Sequence, residues 1–183
     1  MERAIVSVLG KDKPGIIAAV TKILFEQDCN IESVSQTILH SEFSGLFIIA
    51  MPGNMTPREL SERMRDELKT TDLHVFVKWI ETTAASGPEK TEPFVVTTEG
   101  PDNKGLVAGI TAIMAAHKVN VAGLQALFKG GTAPEDNIMI YHVDVPEHID
   151  QQSLRNELRK KAEQLDLTIS IQHKRIFEAI NRI

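Results

Sequence analysis

The chain has 183 residues, of which 42% are hydrophobic and 25% charged, a composition typical of an ordinary folded protein and not of a disordered one. The net charge is −5, and both halves are acidic when the chain is divided after Gly87, so no direct nucleic-acid partner is expected. The single cysteine, Cys29, excludes an internal disulfide, and the charged first residues fit neither a signal peptide nor a membrane span, which predicts a cytoplasmic protein without a membrane partner.

The first half of the chain predicts the order strand, helix, strand, strand, helix, strand. An apolar strand over Ala4–Leu9 ends at Gly10, and a helix begins near Pro14. Two strands follow at Ile31–Leu39 and Leu46–Met51. Turn-prone residues separate these two strands, which predicts a hairpin.

The second helix of this half has a strong start signal. Thr56 is the predicted N-cap, a proline follows it, and Glu59 completes a capping box. Leu60, Met64 and Leu68 then recur at helical spacing. The last strand alternates with a period of two, which places one set of apolar side chains on a single face: Leu73, Val75, Val77 and Trp79.

The second half repeats this plan after a polar linker. Residues 82–92 are rich in small residues, glycine and proline, and they divide a domain over 1–81 from a domain over 93–174. A longer hairpin loop, KGGTAPED, separates the two middle strands of the second half, and Asp150 is the predicted cap of its second helix. Residues 175–183 form a predicted helical tail with isoleucines on one face.

An internal repeat supports this division. Residues 10–33 align with 100–123 without a gap, and seven of the 24 pairs are identical: Gly10/Gly100, Asp12/Asp102, Gly15/Gly105, Ala18/Ala108, Thr21/Thr111, Ile23/Ile113 and Asn30/Asn120. Each βαββαβ unit is the ferredoxin-like plan. We therefore predict an α+β protein of two tandem ferredoxin-like domains, each an antiparallel sheet with its helices on one face and its second strand at an edge.

Motifs of catalysis are missing from the sequence. There is no G-x-S-x-G elbow, no Walker loop and no G-x-G-x-x-G that opens a helix. The six histidines never stand at H-x-x-x-H spacing, which predicts no metal site. We expect no catalytic residues, no metal and no cofactor.

The repeated loops, GKDKPG at 10–15 and GPDNKG at 100–105, are the candidate ligand sites. Glycine lets backbone approach a ligand, and the free amides of a helix N-terminus attract a carboxylate. Asp12 or Asp102 can meet an ammonium group, and Asn30 or Asn120, expected at the same end of the sheet, offers a donor and an acceptor. These groups would match the two charged ends of an amino acid.

A purely structural explanation of the same residues stays open. Asp12 and Asp102 can be helix N-caps, and the glycines can be turn formers. Asn30 and Asn120 can occupy a positive φ where the chain passes from helix to strand.

The two repeated segments carry a resemblance to a known family. GKDKPGIIAAVTKILFEQDCNI, residues 10–31, resembles the opening of ACT domains, and GPDNKGLVAGITAIMAAHKVNV, residues 100–121, resembles it with Lys104 in place of the usual proline. The resemblance implies amino-acid-sensing modules that associate through sheet edges or helices and hold ligand at the seam. By position, the ligand-facing residues would be Asp12, Lys13, Pro14, Gly15, Ile16, Asn30 and Ile31, with Asp102, Asn103, Lys104, Gly105, Leu106, Asn120 and Val121 in the second copy.

Two such domains with no appended enzyme or DNA-binding domain are similar to the glycine cleavage system transcriptional repressor group. The resemblance implies a non-enzymatic regulator of amino acid metabolism, with an amino acid such as glycine as ligand, a homodimeric state and a transcription-activator protein as partner. Two alternatives remain: a dimerisation or interaction module without ligand, and the regulatory part of a larger metabolic enzyme, such as formyltetrahydrofolate deformylase or phosphoserine phosphatase.

Overall fold

The structure, a computed structural model, describes residues 2–81, 90–128 and 137–180. The chain divides into two compact units, residues 1–84 and 85–183. Each unit contains a four-stranded antiparallel sheet with two helices packed against one face, and the prediction of two tandem ferredoxin-like domains is confirmed.

The elements of the first unit follow the predicted order. They are β1 (Glu2–Lys11), α1 (Ile16–Glu26), β2 (Asn30–Leu39), β3 (Glu42–Met51), α2 (Pro57–Glu67) and β4 (Leu73–Trp79). The sheet order is β2-β3-β1-β4, so β2 and β4 are edge strands. Ala4, Val6 and Val8 of the central strand are fully buried beneath the helices, because alternate side chains of a strand point to the same face.

The second unit has the same plan. It contains β5 (Thr91–Gly100), α3 (Leu106–Ala116), β6 (Asn120–Phe128), β7 (Asn137–Pro146), α4 (Gln151–Gln164) and β8 (Thr168–His173), in the sheet order β6-β7-β5-β8. Because β5 begins at Thr91, Thr91 and Glu92 belong to a strand and not to the linker. The loop KGGTAPED lies outside the described residues.

A short helix, α5 (Lys174–Ile180), follows β8 and contacts β5 and β8. Val95 lies on the face of β5 opposite to Phe94 and Val96, and it is nevertheless buried. The helix therefore covers part of the outer sheet face of the second unit. The corresponding face of the first unit leaves Leu46 and Phe76 exposed.

The second helix of each unit is capped as predicted. The N–H of Glu59 donates to Thr56 Oγ1, and the N–H of Thr56 donates to a Glu59 carboxylate oxygen at 2.8 Å, which also lowers the pKa of that carboxyl. Asp150 accepts hydrogen bonds from the amides of Gln152 and Ser153. Both capping groups were readable from sequence because the motif is local.

Three helices end in the same way, with a non-glycine residue in the left-handed conformation. Asp28, Lys118 and Asp166 have φ of 53°, 58° and 56°. The residue after each donates its N–H to the third-last helical carbonyl, as Cys29 does to Leu24 at 2.9 Å. This Schellman geometry turns the next side chain into the core, which explains why Cys29 is buried and why its burial raises the pKa of the thiol.

We predict that Lys118→Gly stabilises the second unit by about 1 kcal/mol, because glycine removes the steric cost of the left-handed conformation. Equilibrium urea denaturation followed by circular dichroism measures the change. Lys160→Gly in the interior of α4 is the matched control and should destabilise by about 1 kcal/mol. Equal effects of the two substitutions would contradict the prediction.

Candidate functional site

The turn that opens α1 is built by glycine. Gly15 is the N-cap of the helix, with φ of 96°, and no side chain caps it. Asp12 is therefore not the N-cap, and that structural explanation is wrong; its amide instead donates to the Ser41 carbonyl at 2.7 Å, and its side chain remains exposed. Gly105 opens α3 in the same way, with φ of 87°, and Asp102 is not a cap either.

The first amides of α1 and α3 have no side-chain acceptor. The first helical hydrogen bond of α1 runs from Ala19 to Gly15, so the N–H groups of Ile16, Ile17 and Ala18 point out of the helix end without a capping residue. α2 and α4 have side-chain caps at the same place. The two uncapped ends therefore keep the capacity to bind an anion.

An open cleft of about 450 Å³ lies at the uncapped end of α1. We call it the first cleft. The turn and the helix start supply one wall, and the ends of β2 and β3 supply the other. Its lining residues are Asp12, Lys13, Gly15, Ile16, Ile17, Ala18, Gln36, Ile38 and Phe43.

The second cleft, of about 580 Å³, lies at the matching end of α3 and is lined by Asp102, Asn103, Gly105, Leu106, Val107 and Ala108. All six residues match positions of the first cleft. Neither Pro14 nor Lys104 is among the lining residues, and Gly105 takes the same conformation as Gly15 although Lys104 replaces the proline. The departure from the family pattern at Lys104 therefore does not change the backbone of the turn.

Phe43 forms the floor of the first cleft, and its counterpart in the second unit is polar. The sequence analysis did not identify this residue. Strand register matches Phe43 with Asn137, which is fully buried, and neither Nδ2 nor Oδ1 of its side chain has a hydrogen-bond partner. The Thr98 hydroxyl nearby in the register is also buried without a hydrogen bond of normal geometry. The signal that the sequence offered for this residue was an asparagine aligned with an apolar core residue of the other unit.

The predicted asparagines do not lie beside these turns. Asn30 pairs with Ala50, whereas Ile38 in the first cleft pairs with Phe43. Eight residues of strand separate Asn30 from Ile38, about 26 Å at the rise of a β-strand. The expectation that both elements share one end of the sheet is wrong, and Ile31 is remote from the cleft for the same reason.

Asn120 and Val121 likewise begin β6, away from the second cleft, and the Asn120 amide donates to the Asp144 carboxylate at 3.3 Å. Neither asparagine has the positive φ that the structural explanation required. That conformation falls two residues earlier, at Asp28 and Lys118.

The two pairs of glycines in the repeated loops, Gly10/Gly100 and Gly15/Gly105, have different structural roles. A Cβ on Gly10 would lie 2.2 Å from the backbone oxygen of Asp72, and a Cβ on Gly100 would lie 2.7 Å from that of Asp166. The missing side chain at each of these glycines makes room for the chain's own backbone and not for a ligand. Gly15 has open space around it, and its requirement is the positive φ.

Within the described ranges, no group of three or more histidine, cysteine, aspartate or glutamate side chains is placed to hold a metal ion. Among the helices of the same residues, none is long and apolar enough to cross a bilayer.

Comparison with known families gives a match on both halves of the chain. A family model described as the ACT domain matches residues 2–78 and 92–172. Each matched range contains one βαββαβ unit apart from single residues at the ends of its outermost strands, which are Trp79 in the first unit and Thr91 and His173 in the second.

Among individual proteins, a UPF0237 protein of Methanopyrus kandleri is 39% identical over 70 residues, which cover 38% of this chain and 73% of that protein. The glycine cleavage system transcriptional repressor of Escherichia coli is 27% identical over 144 residues, which cover 79% of this chain and 73% of that protein. The crystal structure of an unknown protein from Galdieria sulphuraria superimposes with a TM-score of 0.76 at 20% identity, over 94% of this chain and 98% of that chain. That likeness extends through both units.

We predict a graded series of stabilities for glycine-to-alanine substitutions. Gly10→Ala should be the most destabilising, since a backbone oxygen occupies the space of the new Cβ. Gly15→Ala should cost about 1–2 kcal/mol through the left-handed conformation alone. Gly53→Ala, with open space and no positive φ, is the control and should change the free energy of unfolding by less than about 0.5 kcal/mol. Any other order in urea denaturation would contradict the assignment.

Proposed function

The chain belongs to the ACT domain family, and on that premise we propose that it is a regulatory protein that binds an amino acid at the uncapped end of α1. One observation carries this proposal. The helices α2 and α4 are capped by their own side chains, whereas α1 and α3 begin at a left-handed glycine beside an open cleft. The same arrangement in two diverged copies favours a retained binding function.

The first cleft offers complementary charges for a zwitterion. The amides of Ile16, Ile17 and Ala18 would donate hydrogen bonds to the carboxylate at the positive end of the helix dipole. The exposed Asp12 carboxylate lies in the same cleft and would meet the ammonium group. Lys13 adds a positive charge for the ligand carboxylate. We propose the side chains of Asp12 and Lys13 as ligand contacts, together with Gly15 and Ile16.

The second cleft presents the same backbone with a weaker set of side chains. Asn103 stands where the first cleft has a lysine, which removes one positive charge. Asp102, Gly105 and Leu106 occupy the positions that Asp12, Gly15 and Ile16 have in the first cleft. We propose that this cleft binds ligand more weakly, while Lys104 remains outside the contacts.

A second copy of the chain is proposed to complete the site. Asn30 lies about 26 Å from the first cleft along its own strand. Because β2 is an edge strand, antiparallel pairing with β2 of a second copy would bring that copy's Asn30 and Ile31 to the first cleft. Val34 and Leu39 of β2, exposed by 47% and 70%, would lose water contact in such a dimer. Asn120 and Val121 would serve the second cleft through β6 in the same manner.

The regulatory output is proposed from the relatives. The Escherichia coli protein that matches 79% of this chain is named a glycine cleavage system transcriptional repressor. We propose that this chain likewise regulates amino acid metabolism, with glycine as the first ligand to test, and that it acts through a protein partner, since its net charge of −5 opposes direct binding to DNA. The protein would work as a non-enzymatic sensor.

Isothermal titration calorimetry with the twenty amino acids tests the ligand. We expect saturable binding of a small amino acid, and at least about tenfold weaker binding by Asp12→Ala, because a charge-assisted contact is lost. Asp102→Ala is the matched substitution in the second cleft and should leave the tighter site intact. Absence of heat from a folded sample with every amino acid would refute the proposal.

A mixing experiment tests the shared site. Asp12→Ala and Asn30→Ala should each weaken binding at least about tenfold, but an equal mixture of the two chains should recover about one quarter of the tight sites, because each mixed dimer contains one intact site. Native mass spectrometry verifies subunit exchange. Unchanged binding by Asn30→Ala, or no recovery after exchange, would show that one chain forms the whole site.

A further inference from the structure

A separate cleft of about 650 Å³ lies in the first unit between α2 and the edge strand β4. We call it the edge cleft. Its volume is in the range of small-molecule sites. None of its lining residues belongs to the first cleft: Thr56, Pro57, Arg58, Ser61, Glu62, Arg65, Phe76, Val77, Lys78 and Trp79.

The charges of the edge cleft are predominantly positive. Arg58 and Arg65 of α2 line it together with one acidic residue, Glu62, whose carboxylate is paired with Arg58 at 2.9 Å. Arg65 is anchored at the rim by a hydrogen bond of 3.3 Å to the Val75 carbonyl. In a chain of net charge −5, this local excess of positive charge favours an anion.

Ser61 supplies a buried polar group on the wall of the edge cleft. Its side chain is only 6% exposed, and its hydroxyl has no hydrogen-bond partner. A buried hydroxyl without a partner carries an uncompensated cost of desolvation. A ligand atom that accepts this hydrogen bond would remove that cost.

The backbone of β4 adds a further donor. Since the Val75 carbonyl accepts from Arg65, it points away from the paired strand β1. Alternation along an antiparallel strand then directs the N–H of Val77 to the same open edge, where the sheet has no further strand. Amide, hydroxyl and guanidinium donors therefore face one cleft.

Trp79 gives the edge cleft an aromatic wall. It is the single tryptophan of the chain and is partly buried at the end of β4. Indole rings bind planar groups through stacking and apolar contact. The combination favours a ligand with a ring as well as a negative charge.

In the second unit, side chains fill the position that corresponds to the edge cleft. Arg155 occupies the position of Ser61; its Nη1 donates to the Ile171 carbonyl at 3.0 Å, and its guanidinium carbon lies 5.4 Å from the centroid of the Phe94 ring. His173, the counterpart of Trp79, packs edge-on against the same ring. The opening in the first unit is therefore a property of its residues and not of the fold.

We propose that the edge cleft binds a small anion that carries a planar ring, with a carboxylate or phosphate held by Arg65 and the Ser61 hydroxyl, and the ring against Trp79. The site is independent of the amino acid site at α1, since the two share no residue. It adds a second ligand class to the first unit alone.

Titration of Trp79 fluorescence with phenyl phosphate, benzoate and adenosine 5′-monophosphate tests the site. We expect a saturable change with at least one of these anions and a dissociation constant below about 1 mM. Phenol, which has the ring without the charge, and inorganic phosphate, which has the charge without the ring, should bind at least about tenfold more weakly. Absence of a saturable signal with all three anions, or equal binding of phenol, would overturn the proposal.

Ser61→Arg copies the closed state of the second unit and should abolish the response, and Arg65→Ala should weaken it at least about tenfold. Arg159→Ala at the matching position of α4 is the control and should leave the titration unchanged. Circular dichroism verifies that each variant is folded. Full retention of binding by folded Arg65→Ala, or binding only of an extended acidic peptide, would also overturn the proposal.

Discussion

The left-handed glycine at the start of the first helix is the constraint on which both units depend. At φ of 96° and 87°, Gly15 and Gly105 direct the chain into the helix without a capping side chain. Gly10 and Gly100, five residues earlier, let the chain before the last strand cross close to the end of the first strand. The four glycines together place an unsatisfied helix end beside a cleft in each copy.

Duplication has preserved this backbone while the side chains around it have diverged. Phe43 beneath the first cleft corresponds to Asn137, an unpaired buried amide, in the second unit. Ser61 at the edge cleft corresponds to Arg155, which fills the space. The two copies therefore offer different surfaces to solutes although their strand orders are identical. A duplicated regulator can in this way assign separate roles to domains of one fold.

Local signals in the sequence were sufficient for most of the fold. The capping box at Thr56 and Glu59 and the alternation of Val75 and Val77 depend on neighbouring residues, and both are found as predicted. The start of the first helix was predicted near Pro14, slightly before its observed first residue Ile16, because a side-chain cap is the commoner signal and a left-handed glycine N-cap has none.

The candidate site was predicted less completely than the fold. Asn30 was wrongly placed near the first turn because the direction of the chain was not followed: α1 begins at the end of the sheet where β1 finishes and runs back to the opposite end before β2 begins at Asn30. The polar substitution at Asn137 acquires meaning only when register aligns it with Phe43. The turns themselves were predicted because their glycine spacing recurs.

The side chains that can be monitored individually are distributed so that each unit has its own probe. Trp79 and the buried thiol of Cys29 both belong to the first unit, whereas the single tyrosine, Tyr141, is fully buried in the second. Opening of the first unit would expose the thiol to alkylation and the indole to water, whereas exposure of the phenol would report opening of the second unit. Structural changes in the two halves of the molecule can therefore be followed individually, without labels, in the intact chain.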